Sequence, residues 1–295
     1  MTLHYTAGLQ DHGKKLFFIL HSRLRISTGQ IKRLKYQTKM LVNGNAVHTD
    51  FVISLGDQIT LPLPEETANF PPEPGPIHVL YEDEALIGIH KPAGIIMHPS
   101  ATRNTGTLAN RLLYYLGGGA IHPVNRLDRD TTGVTIFAKN SYIKSILSET
   151  LRTANIQKTY LAPVFGRLPQ RSGVIDLPID RLHTDSLWRT IREDGQPSRT
   201  AYEYIAGHGA WALYAFHPLT GRTHQIRLHC YASGAPILGD PIYQTKASRS
   251  YSEILGLSVQ QLCCIEMTFP HPMTGQQISI LTRPEFYDAA WFHDG

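Results

Sequence analysis

The stretch HPVNRLDRDTTGVTIFAKN sets two arginines and two aspartates beside an apolar run that is predicted to be a buried strand. The charged residues are Arg126, Asp128, Arg129 and Asp130. A solvated turn would explain them. A reaction centre would explain them equally well, because a carboxylate beside a core can act as a nucleophile or as a general base. These residues alone make Asp128 and Asp130 equally good candidates.

Three further segments could complete such a site: HKPAG at 90–94, KTYLA at 158–162 and TGRTHQIRLH at 220–229. Together with NRLDRDTTG at 125–133, and in this order and spacing, they resemble the RluA-type family of pseudouridine synthases. The resemblance extends from about Ile77 to Leu281. It implies the pseudouridine synthase fold and an RNA-modifying isomerase that converts uridine to pseudouridine.

The resemblance also assigns roles to single residues. The family's catalytic aspartate falls on Asp128, its active-site tyrosine on Tyr160, and the arginine that pairs with the aspartate on Arg227. Arg126, in the same motif as Asp128, is expected to help accommodate a flipped-out nucleotide.

Three more residues are expected at the substrate. Asn125 stands where the family commonly has His, and we expect its local hydrogen-bonding role to survive. Lys91 is a candidate for a contact to a backbone phosphate, and Arg222 for a structural or RNA-phosphate role. Cys263-Cys264 is a second departure from the family pattern, which often has His-Ala there. Neither departure is expected to touch the catalytic trio.

The implied reaction breaks a carbon–nitrogen glycosidic bond, rotates the uracil and rejoins it through carbon 5. Because the reaction is redox-neutral and consumes no second substrate, we expect no cofactor and no metal. The sequence also contains no Cys-x-x-Cys or His-x-x-x-His pair of the kind that binds zinc. Asp128 could be a nucleophile on the sugar or the uracil, or a base on the sugar. Burial raises the pKa of a carboxyl and a neighbouring Arg lowers it by roughly 1–3 units, so an Arg partner is expected. Tyr160 offers a face for stacking the flipped base, worth about 1–3 kcal/mol.

The N-terminal part is basic: residues 1–62 hold eight Lys or Arg against three Asp, whereas the whole chain has a net charge of +4. Ser27 or Thr28 is predicted to cap a helix that carries Lys32, Arg33 and Lys35. Asn43-Gly44 predicts a tight hairpin, and a further strand pair is predicted around Gly56-Asp57. The pattern resembles the small alpha-L-type RNA-binding domain, which implies that this helix contacts RNA.

The segment 64–77, PEETANFPPEPGPI, contains five prolines and is predicted to be an extended linker. We therefore expect a small basic RNA-binding domain at 1–63 and a catalytic domain at 78–295. Predicted strands dominate the latter, with one helix that Ser141 caps and that runs to about Thr153, and another between Thr223 as its cap and Gly234 as its stop. The fold class is α+β, with a mixed, largely antiparallel sheet.

The composition is typical of a globular protein, with 42 % hydrophobic and 18 % charged residues. No secretory signal is visible and no apolar run approaches the ~20 residues that span a bilayer. The three cysteines fit a reducing cytoplasm. The expected partner is structured RNA, either ribosomal, with the large subunit favoured, or transfer RNA, bound by a monomer.

Two other classes of function are alternatives to a pseudouridine synthase. One is a catalytically silent RNA-binding or assembly protein that retains the fold, which would have no need of Asp128, Tyr160 and Arg227. The other is a nucleoside hydrolase or glycosylase, which would release free uracil.

Overall fold

The computed structural model describes residues 1–100, 102–152, 156–183, 188–289 and 292. These residues form a four-stranded sheet near the N-terminus, a ten-stranded sheet in the rest of the chain, and a separate two-stranded ribbon. The α-helices are α1 (Leu16–Ser22), α2 (Thr28–Gln37), α3 (Leu108–Tyr115), α4 (Ser141–Arg152), α5 (Gln225–Ala232) and α6 (Lys246–Ile254). Two short 3-10 helices span Leu9–Asp11 and Glu285–Asp288.

The small sheet has the strand order β1-β4-β2-β3. Its strands are β1 (Thr2–Thr6), β2 (Met40–Val42), β3 (Asn45–Val47) and β4 (Gln58–Pro62). Asn43 and Gly44 both have positive φ, 52° and 81°, which is the backbone of the predicted tight hairpin. Ser27 caps α2 by accepting a hydrogen bond from the Gln30 N–H, which confirms the predicted start of this helix.

The strand pair predicted around Gly56 is wrong in its first strand. Residues 49–53 hydrogen-bond instead to the segment that leads into α1, and only an isolated bridge joins Lys15 to Val52. The chain turns at Gly56, where φ is 85°, and then enters β4, which pairs with β1 and β2.

The large sheet has the order β10-β13-β14-β9-β15-β8-β6-β5, with β16 paired to β15 and β7 to β8. Its strands are β5 (His78–Glu82), β6 (Leu86–Lys91), β7 (His122–Pro123), β8 (Thr132–Ala138), β9 (Gln157–Phe165), β10 (Ser172–Asp176), β13 (Arg199–His208), β14 (Trp211–Pro218), β15 (Cys263–Pro270) and β16 (Gln277–Leu281). The ribbon consists of β11 (Ile179–Arg181) and β12 (Arg189–Ile191). Every pairing in the large sheet is antiparallel except that of β15 with β8, so the predicted α+β class is confirmed.

The segment predicted as a linker, residues 64–77, contains no helix or strand and lies along the large-sheet body. Phe70 is buried in the core. The Glu66 carboxylate accepts hydrogen bonds from the N–H and the hydroxyl of Ser141, at the start of α4. The Asn110 amide donates to the Pro71 carbonyl at 2.7 Å. The segment is therefore a strap fastened to the body rather than a free tether.

The small-sheet unit also contacts the body directly. The Tyr142 hydroxyl donates to the carbonyl of Leu24 at 2.8 Å, and the Gln30 amide donates to the carbonyl of Ser141 at 3.2 Å. Since both contacts fall on the first turn of α4, this helix is the point where the two units meet.

β8 and β15 approach each other very closely at Gly133, the last residue of the motif that contains Asp128. Gly133 has φ of +104°, and a Cβ there would lie far inside van der Waals contact of the Cys264 backbone. Only glycine combines this backbone conformation with this approach. The close pairing fixes the end of the motif beside β15.

We predict that Gly133→Ala lowers the free energy of unfolding by at least about 3 kcal/mol, because both the positive φ and the clash with Cys264 must be relieved. Gly166→Ala is the matched control. Gly166 also has positive φ, +80°, but no atom lies within 4 Å of a Cβ placed there, so about 1–2 kcal/mol is expected. Urea unfolding of both variants measures the difference, and similar losses would contradict the close approach.

Candidate active site

Asp128 lies in the turn that joins β7 to β8. Its carbonyl accepts a hydrogen bond from the Thr131 N–H, which closes the turn at 3.2 Å. Its carboxylate is 25 % exposed and lines a cavity of about 960 Å³. The side chain is therefore neither fully solvated nor sealed in the core.

Arg227, on α5, links Asp128 to a second carboxylate. Its Nη1 donates to Asp128 Oδ2 at 3.0 Å. Its Nε and Nη2 donate to the two oxygens of Asp240, at 2.7 and 2.9 Å. The predicted pairing of Arg227 with Asp128 is present, and Arg227 also forms a bidentate contact with Asp240. Burial lowers the pKa of Arg227, but the hydrogen bonds and charges of Asp240 and Asp128 outweigh it, so its pKa is raised and it stays a cation.

Asp240 is a site residue that the sequence analysis missed. Its side chain is fully buried, and Oδ1 also accepts the backbone N–H groups of Ile242 and Tyr243. It follows Gly239 in the segment LGDPIY, outside the four segments that suggested the site. The available signal was an aspartate inside an otherwise apolar stretch, because such a residue needs a charged partner when it is buried.

Tyr160 lies on β9, in the wall of the same cavity. Burial raises the pKa of Tyr160 well above its ordinary value, and the adjacent Cys264 adds to the effect. Cys264, whose own pKa is raised by burial to about 12, pairs with Tyr160 across β15 and β9. The expectation that Cys263-Cys264 would not touch the trio is therefore wrong, because strand pairing brings Cys264 beside the phenol.

Asn125 supports the turn from inside. Its Oδ1 accepts from the Ile136 N–H at 2.9 Å and from the Thr135 hydroxyl at 3.3 Å, and its Nδ2 donates to the Val134 carbonyl at 3.3 Å. It also lines the cavity. The predicted hydrogen-bonding role is present, and it fastens the chain just before Asp128 to β8.

Lys91 does not reach the cavity, so the predicted phosphate contact is wrong. The side chain is fully buried, and Nζ donates to the carbonyls of Pro92 and Arg129 at 2.8 and 2.6 Å. Burial lowers the pKa of Lys91 to about 8, against the attraction of Asp130 and Asp128. Lys91 therefore holds the loop after Asp128 from behind.

Asp130, the other candidate carboxylate, is engaged elsewhere. It forms an ion pair with Arg129 at 3.0 Å and accepts the Gly94 N–H at 3.2 Å. It does not line the cavity. Asp130 therefore connects the NRLDRDTTG segment to the HKPAG turn.

The remaining cavity wall is rich in cations. Arg126 and Arg222 are exposed on it, and Lys158 lies two residues before Tyr160 on β9. Arg222 donates to the Pro197 carbonyl at 3.3 Å, whereas the side chains of Arg126 and Lys158 have no hydrogen-bond or ion-pair partner among the described residues. Burial lowers the pKa of Lys158. Asp128 is thus a single carboxylate among several cations, a charge pattern that suits a polyanion.

The turn before α5 differs from its prediction. Thr223 does not cap the helix: His224 is the N-cap, with φ of 59°, while the predicted end of the helix at Gly234 is confirmed. The left-handed backbone directs His224 into the cavity wall, where its Nε2 lies 3.9 Å from Asp128 Oδ2. This histidine lies in the segment TGRTHQIRLH, where its spacing alone indicated no role.

The arrangement can perform carboxylate chemistry. The Asp128 carboxylate lines the cavity beside the buried guanidinium of Arg227. The phenol of Tyr160 and the imidazole of His224 line the same cavity. A carboxylate so placed can attack an electrophilic carbon or remove a proton from a substrate that the basic wall holds.

Comparison with known proteins identifies the family. Residues 85–232 match the family model described as RNA pseudouridylate synthase. An uncharacterized RNA pseudouridine synthase, YhcT of Bacillus subtilis, is 34% identical over 241 residues, 79% of this chain and 80% of that protein. Ribosomal large subunit pseudouridine synthase D of Xanthomonas campestris is 34% identical over 250 residues, 81% of this chain and 75% of that protein.

A solved structure agrees at the level of the fold. Human RNA Pseudouridylate Synthase Domain Containing 1 aligns with a TM-score of 0.60 and 23% identity, over 72% of this chain and 87% of that one. The chain belongs to the RNA pseudouridylate synthase family and is an isomerase that acts on RNA. Within it, the relatives named ribosomal large subunit pseudouridine synthase D identify the RluA type, so the family resemblance seen in the sequence is confirmed. No helix in the described part of the chain is long and apolar enough to cross a membrane.

We predict that Asp240→Asn lowers the free energy of unfolding by about 3 kcal/mol, because it removes one of two anions from a buried guanidinium. The control is Asp176→Asn: Asp176 pairs with Arg199 at 3.1 Å, but its side chain is 62% exposed. A change under about 1 kcal/mol is expected there. Urea unfolding tests the pair, and equal losses would mean that Asp240 does not stabilise Arg227.

Proposed function

We propose that the protein isomerises specific uridines to pseudouridine in structured ribosomal RNA, with Asp128 as the catalytic carboxylate. The observation that carries this proposal is the hydrogen bond between Arg227 and an Asp128 carboxylate that faces a basic cavity. Asp128 reacts with the sugar or the uracil as nucleophile, or with the sugar as base. Arg227 keeps it in one orientation, because Asp240 fixes the guanidinium.

Tyr160 serves the detached uracil. Its ring lines the cavity, and its raised pKa keeps the phenol protonated at neutral pH, so it offers an aromatic surface and a neutral donor without a second negative charge beside Asp128. Base flipping costs a few kcal/mol, which stacking of about 1–3 kcal/mol offsets.

The cations of the wall bind the RNA backbone. Arg126, Lys158 and Arg222 line the same cavity as Asp128, and Arg126 accommodates the flipped nucleotide. Asn125 and Lys91 act behind this surface by holding the turn that presents Asp128.

The unit formed by residues 1–63 binds RNA outside the cavity. Lys32, Arg33 and Lys35 are exposed on α2, as the resemblance to alpha-L-type domains requires. The chain acts as a monomer in the cytoplasm. Large-subunit ribosomal RNA is favoured over transfer RNA because several relatives are named for that activity.

Asp128→Asn should abolish pseudouridine formation while RNA affinity and fold remain, because the amide keeps the shape but cannot act as nucleophile or base. Asp130→Asn is the control and should be far milder, since Asp130 faces Arg129 and Gly94. Single-turnover assays on a large-subunit ribosomal RNA transcript compare them. More than about a tenth of wild-type activity in Asp128→Asn, or the reverse ranking, would remove Asp128 from the catalytic role.

The same assay separates the competing functions. A silent RNA-binding protein would form no pseudouridine in the wild type, and a hydrolase would release free uracil.

Replacing Lys32, Arg33 and Lys35 together by Gln should weaken RNA binding and flatten its salt dependence, by up to about one unit of log–log slope per lost phosphate contact. Arg249→Gln is the control, because Arg249 is an exposed cation that pairs with Glu253 on α6. Binding to the same transcript is measured from low to moderate salt. An unchanged slope in the triple variant would show that α2 does not touch the RNA.

A further inference from the structure

His224 is held in one orientation beside Asp128. Its backbone is left-handed, with φ of 59° and ψ of 17°, and its side chain is 14% exposed. Nδ1 lies 2.9 Å from the Tyr243 hydroxyl. On the opposite side of the ring, Nε2 points toward Asp128 Oδ2 at 3.9 Å.

The hydrogen bonds of Tyr243 determine which nitrogen of His224 carries the proton. The Tyr243 oxygen accepts the Arg189 backbone N–H at 3.0 Å. Tyr243 is buried, and among the described residues its O–H has no acceptor other than His224 Nδ1. Because buried hydroxyls find a partner, Tyr243 donates to Nδ1, and the ring proton is on Nε2. His224 therefore presents an N–H to the space beside Asp128.

The charges around the ring favour its neutral form. Burial lowers the pKa of His224, and the cations Arg227 and Arg189 act in the same direction, against Asp128 and Asp240. At neutral pH His224 is thus a neutral donor next to an acceptor carboxylate.

We propose that His224 and Asp128 together bind the ribose 2′-hydroxyl of the target uridine, which accepts from His224 Nε2–H and donates to Asp128 Oδ2. An oxygen about 2.8 Å from each of these atoms would see them at an angle near 90°, which a hydroxyl can satisfy. Within an RNA chain the 2′-hydroxyl is the one group of a uridine that both donates and accepts: O2 and O4 of the base accept, and N3–H donates.

This assignment makes His224 a determinant of specificity for RNA over DNA. It rests on the proposed function, because it needs Asp128 to face the sugar of the flipped nucleotide. It also gives Tyr243 a positioning role, since its hydroxyl sets the tautomer of His224.

The test combines a protein variant with a substrate change. Once the modified uridine has been mapped in the large-subunit transcript, a synthetic RNA that spans it is made with uridine or with 2′-deoxyuridine at that position. His224→Asn is the informative variant, because Asn tolerates the left-handed backbone but its shorter amide cannot reach the 2′-hydroxyl. The longer amide of His224→Gln can reach it again. Single-turnover rates with enzyme in excess are independent of any misfolded fraction.

The wild type should convert the deoxy substrate about a hundredfold more slowly than the all-ribose RNA, because the substitution removes the hydrogen bonds to both His224 and Asp128. His224→Asn should slow the all-ribose RNA by about tenfold, a factor that matches one hydrogen bond, and the deoxy substitution should then cost only about tenfold, because the bond to Asp128 remains. His224→Gln should recover part of the discrimination.

Two results would overturn the assignment: equal wild-type rates on the two RNAs, or a His224→Asn variant that slows both equally. Wild-type enzyme that forms no pseudouridine in the large-subunit transcript, before any synthetic RNA is made, would refute the proposed function, and this inference with it.

Discussion

The site depends on one buried guanidinium. Arg227 is 4% exposed at its side chain and lies between two carboxylates, one sealed in the core and one facing the cavity. A buried cation is costly unless it is paired and fully hydrogen-bonded, so Asp240 must be present before Arg227 can hold Asp128. α5, the loop after it, and the turn between β7 and β8 are therefore joined by a single side chain, and the orientation of Asp128 follows from all three.

The charged residues around the site fall into two groups, those that lie away from the cavity and those that line it. Asp240 neutralises Arg227 from behind, Asp130 binds Arg129, and Lys91 is sealed among carbonyls, so these charges do not reach the cavity. Asp128 lines the cavity together with Arg126, Lys158 and Arg222. A basic surface with a single carboxylate attracts an RNA backbone with little repulsion.

Local features and the contact implied by the ordered motifs were predictable from the sequence, whereas contacts that depend on burial and strand register were not. The Ser27 cap and the Asn43-Gly44 turn depend on residues a few positions apart, and ordered motifs were enough to bring Asp128 and Arg227 together. Asp240 was missed because its partner is known only once α5 has packed. The roles of Lys91 and Cys264 were misjudged for a related reason, since burial and strand register decide them, and neither can be read from spacing.

Docking of the small-sheet unit has a consequence for RNA binding. A freely tethered module would increase avidity only through its effective concentration, and each binding event would also have to order the tether. Here the strap is already fastened through Glu66, Phe70 and Asn110, and α4 receives the unit through Tyr142. The ordering has been completed during folding, so α2 and the cavity present their cations in a fixed geometry. If α2 binds RNA as proposed, such a platform favours RNA whose phosphates already lie in a matching arrangement, which means a structured RNA rather than a flexible single strand.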